Sequence, residues 1–292
     1  MRITYGMPQR HVLADLARVQ QNLSTAQSQV SSGKRILRPS DDPTGAERAT
    51  RLRSDLDATT AYSNNVDDAK GWLDATDSAL SSLTDVVQRV RELTVQAANG
   101  STSPTARLSI KAEIDQLTEE AKSTLNRAFD GRQLFSGTAT DTPPYDSTSA
   151  TPDAYQGDTQ PVLRQIGPGV TVQVNVTGDD VLGGLLTTLR GISTHLAAND
   201  GAALSSDLAA IDTGLDTVAD KRAQVGALTN RVTAAGTRLD DISDVTTKLL
   251  SDTEDADLPK ALTDLAAQQT ALQSALRGGS TLIQQSLMDF LR

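Results

Sequence analysis

The side chains of this sequence that could most readily take part in chemistry are its two histidines and its adjacent acidic pairs. His11 and His195 are the only histidines, and both fall in predicted helices far apart in the sequence. No GxSxG, HExxH, Walker A or GxGxxG pattern is present. We therefore interpret both histidines as helix-surface or interface residues, and the sequence predicts no enzyme.

The acidic pairs could be read as divalent-metal sites. The four considered are Asp41-Asp42, Asp67-Asp68, Glu119-Glu120 and Asp179-Asp180. None has the alternating oxygen-ligand spacing of a calcium loop, so we interpret them as solvated helix faces or helix caps. We expect neither a metal nor a cofactor.

Composition narrows the class of protein. The 292 residues carry a formal net charge of −10, which argues against nucleic acid, since that partner needs a basic patch. No apolar run is long enough to cross a membrane, and MRITYGMPQR at the start lacks the apolar stretch of a signal peptide. Aromatic residues make up 3% and cysteine is absent, so we expect thin aliphatic seams without disulfides.

Heptad periodicity is the strongest structural signal. Apolar or small residues from Val12 to Val30 alternate spacings of four and three, which predicts a helix with a coiled-coil seam. Ser31-Ser32-Gly33 weakens this helix. Asp42 followed by Pro43 predicts the N-cap and first residue of the next helix.

Two long helices are predicted, Pro43 to about Ala98 and a second one after Gly201. Between them, Ser103-Pro104 opens a shorter helix that we expect to end around Phe129–Gly131. The seams predict an antiparallel rod. Its seam residues are Leu73, Leu80, Leu83, Val87, Val90, Leu208, Ile211, Leu215 and Leu239.

The middle of the chain has a different pattern. Val170, Val172, Val174 and Val176 alternate with polar residues after Gly167-Pro168-Gly169, which predicts a β-hairpin, and we expect no other β element. The polar stretch 141–158 predicts a loop. We expect segment 135–180 to face solvent and to accept an insertion near Ser147.

Both ends of the chain carry apolar stripes that need partners, either each other or another subunit. We predict that each end can detach from the rod at its weak junction, Ser31–Gly33 or Asp252–Asp255. Gly279 falls on the last seam, which leaves open either a flexible spot or close approach by another helix. The predicted assembly interface is Val12, Leu16, Val19, Leu23, Val30, Leu262, Leu265, Leu272, Leu276, Ile283, Leu287 and Phe290.

The fold class predicted is therefore mainly α, an elongated antiparallel coiled-coil rod with a small β-hairpin insert. We predict five segments. Residues 1–40 and 253–292 form terminal helices of an inner assembly domain, 41–134 and 181–252 form the two halves of the rod, and 135–180 forms the insert.

Three stretches resemble the flagellin superfamily. They are VSSGKRILRPSDDPTGAERATRL at 30–52, VQRVRELTVQAANG at 87–100, and VGALTNR at 225–231 together with the last helix. The resemblance implies a structural subunit of the bacterial flagellum with the family's two-layer D0/D1 architecture, exported through the flagellar type III channel without a cleaved signal peptide.

Within the superfamily, the chain resembles the hook–filament junction proteins more than the filament subunits. The residues are MRITYGM at the start, GRQLFSGTATDTPPY at 131–145 and SLMDFLR at the end. Gln133 departs from the aromatic common there. This resemblance implies a ring of identical subunits with hook-associated protein 1 on the hook side, flagellin on the filament side, and an export chaperone on the C-terminal helix.

Two alternatives remain from the sequence. One is a small flagellin, which would be abundant along the filament. The other is an unrelated coiled-coil adaptor, which the hairpin insert disfavours.

Overall fold

The structure, a computed structural model, describes residues 6–145 and 153–290. Contacts divide the chain into a terminal unit, Met1–Ala58 with Ile242–Arg292, and a central unit, Thr59–Asp241. The insertion site near Ser147 lies outside the described residues.

Helices make up most of both units. The mainly helical fold with a small antiparallel hairpin is confirmed. The helices are α1 Gly6–Ser32, α2 Pro43–Ala98, α3 Pro104–Leu125, α4 Gly184–Ala197, α5 Gly201–Glu254 and α6 Leu258–Phe290. A π-helical turn, Asp179–Gly183, leads into α4.

The predicted helix starts have their caps. Asp42 Oδ1 accepts a hydrogen bond from Gly45 N at 2.9 Å, one position before Pro43 opens α2. Ser103 caps α3 by accepting from Ala106 N, with Pro104 at the first helical position. These side chains satisfy amides that have no partner inside the helix.

The central unit contains the hydrophobic core. All nine predicted rod-seam residues belong to it: seven are buried, and Leu208 and Leu215 are partly buried and packed against them. Antiparallel pairing of α2 with α5 is marked by the Arg222 to Asp77 contact at 3.0 Å and the Arg91 to Asp212 contact at 2.6 Å.

Two β-hairpins occur in the described residues. The predicted one pairs β3, Leu163–Gly167, with β4, Val170–Gln173. The other pairs β1, Ala128–Phe129, with β2, Arg132–Gln133, so the prediction of a single β element is wrong. It also ends α3 at Leu125, four residues before the predicted end. Asp130 and Gly131 both have positive φ, 50° and 74°, as a two-residue hairpin turn requires.

The middle segment is attached to the core more firmly than we expected. Phe135, Tyr145, Ile166 and Val174 are at most 2% exposed, so the prediction that 135–180 faces solvent is wrong for these positions. Tyr145 Oη donates to Gly178 O at 3.0 Å, which ties the loop to the start of the π-helical turn.

Candidate assembly surface

The terminal unit pairs the two ends of the chain. Helices α1 and α6 pack against each other, and a Cβ built on Gly279 would lie 3.2 Å from Val12 Cγ1. At the opposite end of the pair, Lys34 and Asp255 form an antiparallel bridge. The apolar stripes of the two chain ends therefore pack against each other. Gly279 is a position where two helices approach closely, and not merely a flexible spot.

The packing in this unit is thin. Among the side chains that the structure describes here, the buried apolar ones are all alanines, namely Ala26, Ala49 and Ala261. The predicted residues Val12, Leu16, Val19, Leu23 and Val30 on α1 are only half-buried. A monomer therefore leaves much of this aliphatic surface in contact with water.

On α6 the leucines do not all face α1. Leu265 and Leu272 are half-buried, but Leu262 is 54% exposed and Leu276 52% exposed. Residues of decreased exposure recur instead at Ala261, Leu265, Gln268, Leu272, Ala275 and Gly279. The side chains of Ile283, Leu287 and Phe290 lie outside the described part of the structure. The predicted α6 interface thus divides into an inner stripe and an outer one.

The outer stripe is an exposed aliphatic surface. Leu258, Leu262 and Leu276 follow one face of α6. A second exposed set in the same unit, Ile242, Val245 and Leu249, follows α5 at spacings of three and four. Scattered apolar residues are ordinary on a surface, whereas rows at helical spacing are typical of a helix that packs on another one.

A cluster of charges that was not predicted from the sequence connects the segment after α1 with the end of α5 and with α2. Lys34 Nζ donates to Glu254 Oε1 at 2.5 Å and to Asp255 Oδ1 at 2.7 Å. Arg53 of α2 pairs with the other oxygen of Glu254. Hydrogen bonding to Lys34 is the largest cause that lowers the pKa of Asp255 below its usual value. The sequence does contain a signal for this cluster. Lys34-Arg35 is a basic dipeptide and Glu254-Asp255 an acidic one, and each lies beside the end of a helix.

Neither histidine belongs to a catalytic arrangement in the described residues. His195 Nδ1 lies 2.7 Å from Asp207 Oδ2, which joins α4 to α5, and His11 is exposed on α1. Within the described ranges no group of three His, Asp or Glu side chains could hold a metal ion. A groove of about 370 Å³ between α4 and α5 has Asp180 as its ionisable lining residue, and Lys221 lies 3.4 Å from that carboxylate.

The acidic pairs act as caps and ion-pair partners. Asp42 caps α2, and Asp68 pairs with Arg164 of β3 at 2.6 Å. Glu119 pairs with Arg190 at 2.8 Å. No helix among the described residues is both long enough and apolar enough to cross a membrane.

Comparison with known proteins gives two family matches. The bacterial flagellin N-terminal helical region matches residues 3–140, and the bacterial flagellin C-terminal helical region matches residues 208–291. Flagellin of Bacillus subtilis (strain 168) is 30% identical over 298 residues, covering 94% of each chain. Flagellar hook-associated protein 3 of Escherichia coli (strain K12) is 28% identical over 283 residues, covering 85% of this chain and 86% of that protein.

Solved structures share the fold. FlgL of Bacillus cereus is 23% identical, with a TM-score of 0.60 over 69% of this chain and 99% of that one. The flagellar hook-associated protein 3 of Legionella pneumophila is 16% identical, with a TM-score of 0.64 over 70% of this chain and 98% of that one.

Proposed function

The chain belongs to the bacterial flagellin family, and from that premise we propose that it is the subunit that joins the hook to the filament, a hook-associated protein 3. Proteins of this family and fold are structural components of the bacterial flagellum and are not enzymes. What we propose beyond family membership is that the chain forms the junction and not the filament.

The observation that carries the junction assignment is the stretch Gly131–Tyr145. Its sequence resembles the junction proteins, and three of its side chains, Leu134, Phe135 and Tyr145, belong to the core of the central unit. Leu134 and Phe135 are at most 1% exposed, and Asn126 Nδ2 donates to Tyr145 O at 2.6 Å. The shared fold with hook-associated structures supports the same assignment.

Flagellin is the alternative, and one observation favours it. The Bacillus subtilis flagellin match covers 94% of both chains at 30% identity. A chain that formed the bulk filament would occur along the whole filament, whereas a junction subunit would occur in a ring between hook and filament.

We further propose that the terminal unit is the assembly domain. The exposed leucines of α6, Leu258, Leu262 and Leu276, would pack on neighbouring subunits, together with the half-buried stripe of α1. Covering such side chains contributes roughly 25 cal/mol per Å² of apolar area, which offsets the ordering entropy of the subunits. The predicted segments 1–40 and 253–292 lie inside this unit, which also takes in the first part of α2 and the last part of α5.

The partners follow from the same proposal. Identical subunits would form a ring, with hook-associated protein 1 on the hook side and flagellin on the filament side. Export would use the flagellar type III channel to the cell exterior without a cleaved signal peptide. A dedicated chaperone would cover the C-terminal helix before export, because an exposed aliphatic stripe invites premature assembly.

A deletion strain tests the assignment. We expect hooks without attached filaments and flagellin released into the medium, with filaments restored by the gene supplied in trans. Immunogold labelling of the complemented strain should mark one site at the base of each filament. Normal filaments in the deletion strain would refute the junction role, and label along the full filament would establish the flagellin alternative.

A further inference from the structure

The two connectors of the terminal unit are joined to each other by their backbones. Arg35 N donates to Glu254 O at 2.6 Å, and Ala256 N donates to Gly33 O at 2.8 Å. Gly33 has a φ of +69°, the left-handed conformation that ends α1 and turns the chain towards this contact. The segment after α1 and the segment after α5 therefore form a short antiparallel pair, 220 positions apart in sequence for Lys34 and Glu254.

Glu254 is the centre of this contact. Its side chain is 4% exposed, and its two carboxylate oxygens pair with Lys34 after α1 and with Arg53 on α2. Asp255 provides Lys34 with a second acceptor. Arg35 donates to Thr253 O at 2.7 Å, which adds another link to the last turn of α5. The Glu254 carboxylate, at the end of α5, thus bonds to one side chain from the connector after α1 and to one from α2.

Because the Glu254 carboxylate is buried, the stability of this contact depends on its ion pairs. A buried carboxylate is tolerated when it is paired and hydrogen-bonded, and a missing partner leaves an uncompensated charge. The rest of the terminal unit offers little compensation, because its fully buried apolar side chains, among those described, are alanines. The predicted weak junctions lie at helix ends, since α1 ends at Ser32 and α5 at Glu254, and they are also the most strongly cross-linked place described in this unit.

We propose that Glu254 is a latch that makes α1 and α6 order and release together. When its carboxylate is paired with Lys34 and Arg53, both terminal helices are held in one cooperative unit. When the carboxylate is neutralised or loses a cation, the connectors separate and both helices lose their attachment at once. This inference does not depend on whether the chain is a junction protein or a flagellin.

Hydrogen exchange on the purified full-length chain tests the latch. Glu254→Gln keeps the shape of the side chain and removes its charge, and Arg53→Met removes one cation. In both variants, we expect amides of α1 and of α6 to lose protection in parallel, by about tenfold or more, because they open as one unit. Amides of α3 and α4, in the central unit, should keep their protection.

The matched control is Glu47→Gln on α2. Glu47 pairs with Arg51 four residues away, and both side chains are mostly exposed, so this change should leave every helix as protected as before. Loss of protection confined to the connectors, or to one terminal helix, would overturn the proposal. So would parallel loss in α3 and α4, or an unaltered chain in which α1 and α6 are already unprotected.

Discussion

Gly279 of α6 lies so close to Val12 of α1 that an added Cβ would come within 3.2 Å of Val12 Cγ1 and 3.9 Å of Leu16 Cδ1. A real side chain is rarely that close to another carbon. The α1–α6 pair is therefore packed through a glycine at this level, and the two backbones approach more closely than leucines on both sides would allow.

Replacing Gly279 tests this contact. Gly279→Val should separate the helices locally and reduce the protection of α1 amides near Val12. The matched control is Gly278→Val, where an added Cβ would meet no atom within 4 Å apart from the adjacent residues and the backbone of its own helix. Equal effects of the two substitutions, measured by hydrogen exchange, would contradict the close approach, since both share the same helix-propensity change.

Leu83 tests the central core. It is fully buried in the core of the central unit. Leu83→Asp would bury an unpaired charge, and we expect it to lower the free energy of unfolding by several kcal/mol, on the order of 3–5. The comparison variant is Leu108→Asp on α3, where the leucine is 53% exposed and the effect should be within about 0.5 kcal/mol. Urea denaturation followed by circular dichroism measures both, and an unchanged midpoint for Leu83→Asp would place that residue outside the seam.

Substitutions in the outer stripe of α6 should prevent assembly without changing the stability of the monomer. The double variant Leu262→Asp with Leu276→Asp should keep the monomer's unfolding midpoint, because both leucines are more than half exposed. Motility and filament attachment should be lost, since the charges would prevent contact with a neighbouring subunit. Ala267→Asp, also at an exposed position of α6, is the control. Normal motility of the double variant would exclude these leucines from the interface.

Alkaline pH should weaken the central unit. Burial raises the pKa of Tyr155 to about 12 and raises that of Tyr145 also. The folded state therefore holds these protons more tightly than the unfolded chain does, where tyrosine titrates near 10. The resulting stabilisation is complete below about pH 10 and is lost as the pH rises through the folded values.

Urea midpoints at about pH 9 and about pH 11 give the measurement. The unaltered chain should lose stability between them, and Tyr145→Phe with Tyr155→Phe should lose less. That double variant should start from lower stability at about pH 9, because Tyr145 Oη donates to Gly178 O and Tyr155 Oη donates to Phe135 O. Identical slopes for the two proteins would assign the alkaline loss to other groups.

Local signals in the sequence predicted most of the elements. The start of α2 follows from Asp42-Pro43, and that of α3 from Ser103-Pro104, because each pair provides a cap and a preset φ. The β3–β4 hairpin follows from alternating valines. The β1–β2 hairpin was missed, because strands of two residues show no periodicity and leave Asp130-Gly131 as the remaining signal.

Periodicity in the sequence could not identify which face of α6 packs against α1. Two stripes overlap on this helix, sharing Leu265 and Leu272, and the sequence favours the one with more leucines. The structure turns the smaller residues, Ala261 and Gly279, towards the interior. How closely two helices approach is a tertiary property, and it reverses a choice based on hydrophobicity alone.

The pairing of α1 with α6 also sets an order of events during synthesis. Helix α1 is made before every other helix described, whereas the stripe that it packs against belongs to α6, which is made after them. Contacts of the central unit join residues that are less far apart in sequence, such as Asp115 of α3 and Ser193 of α4, so they close shorter loops and can form sooner. A ribosome-bound chain that ends before α6 would have a folded central unit, but its α1 would have no helix to pack against. The terminal unit is therefore complete only in chains that have been translated through α6.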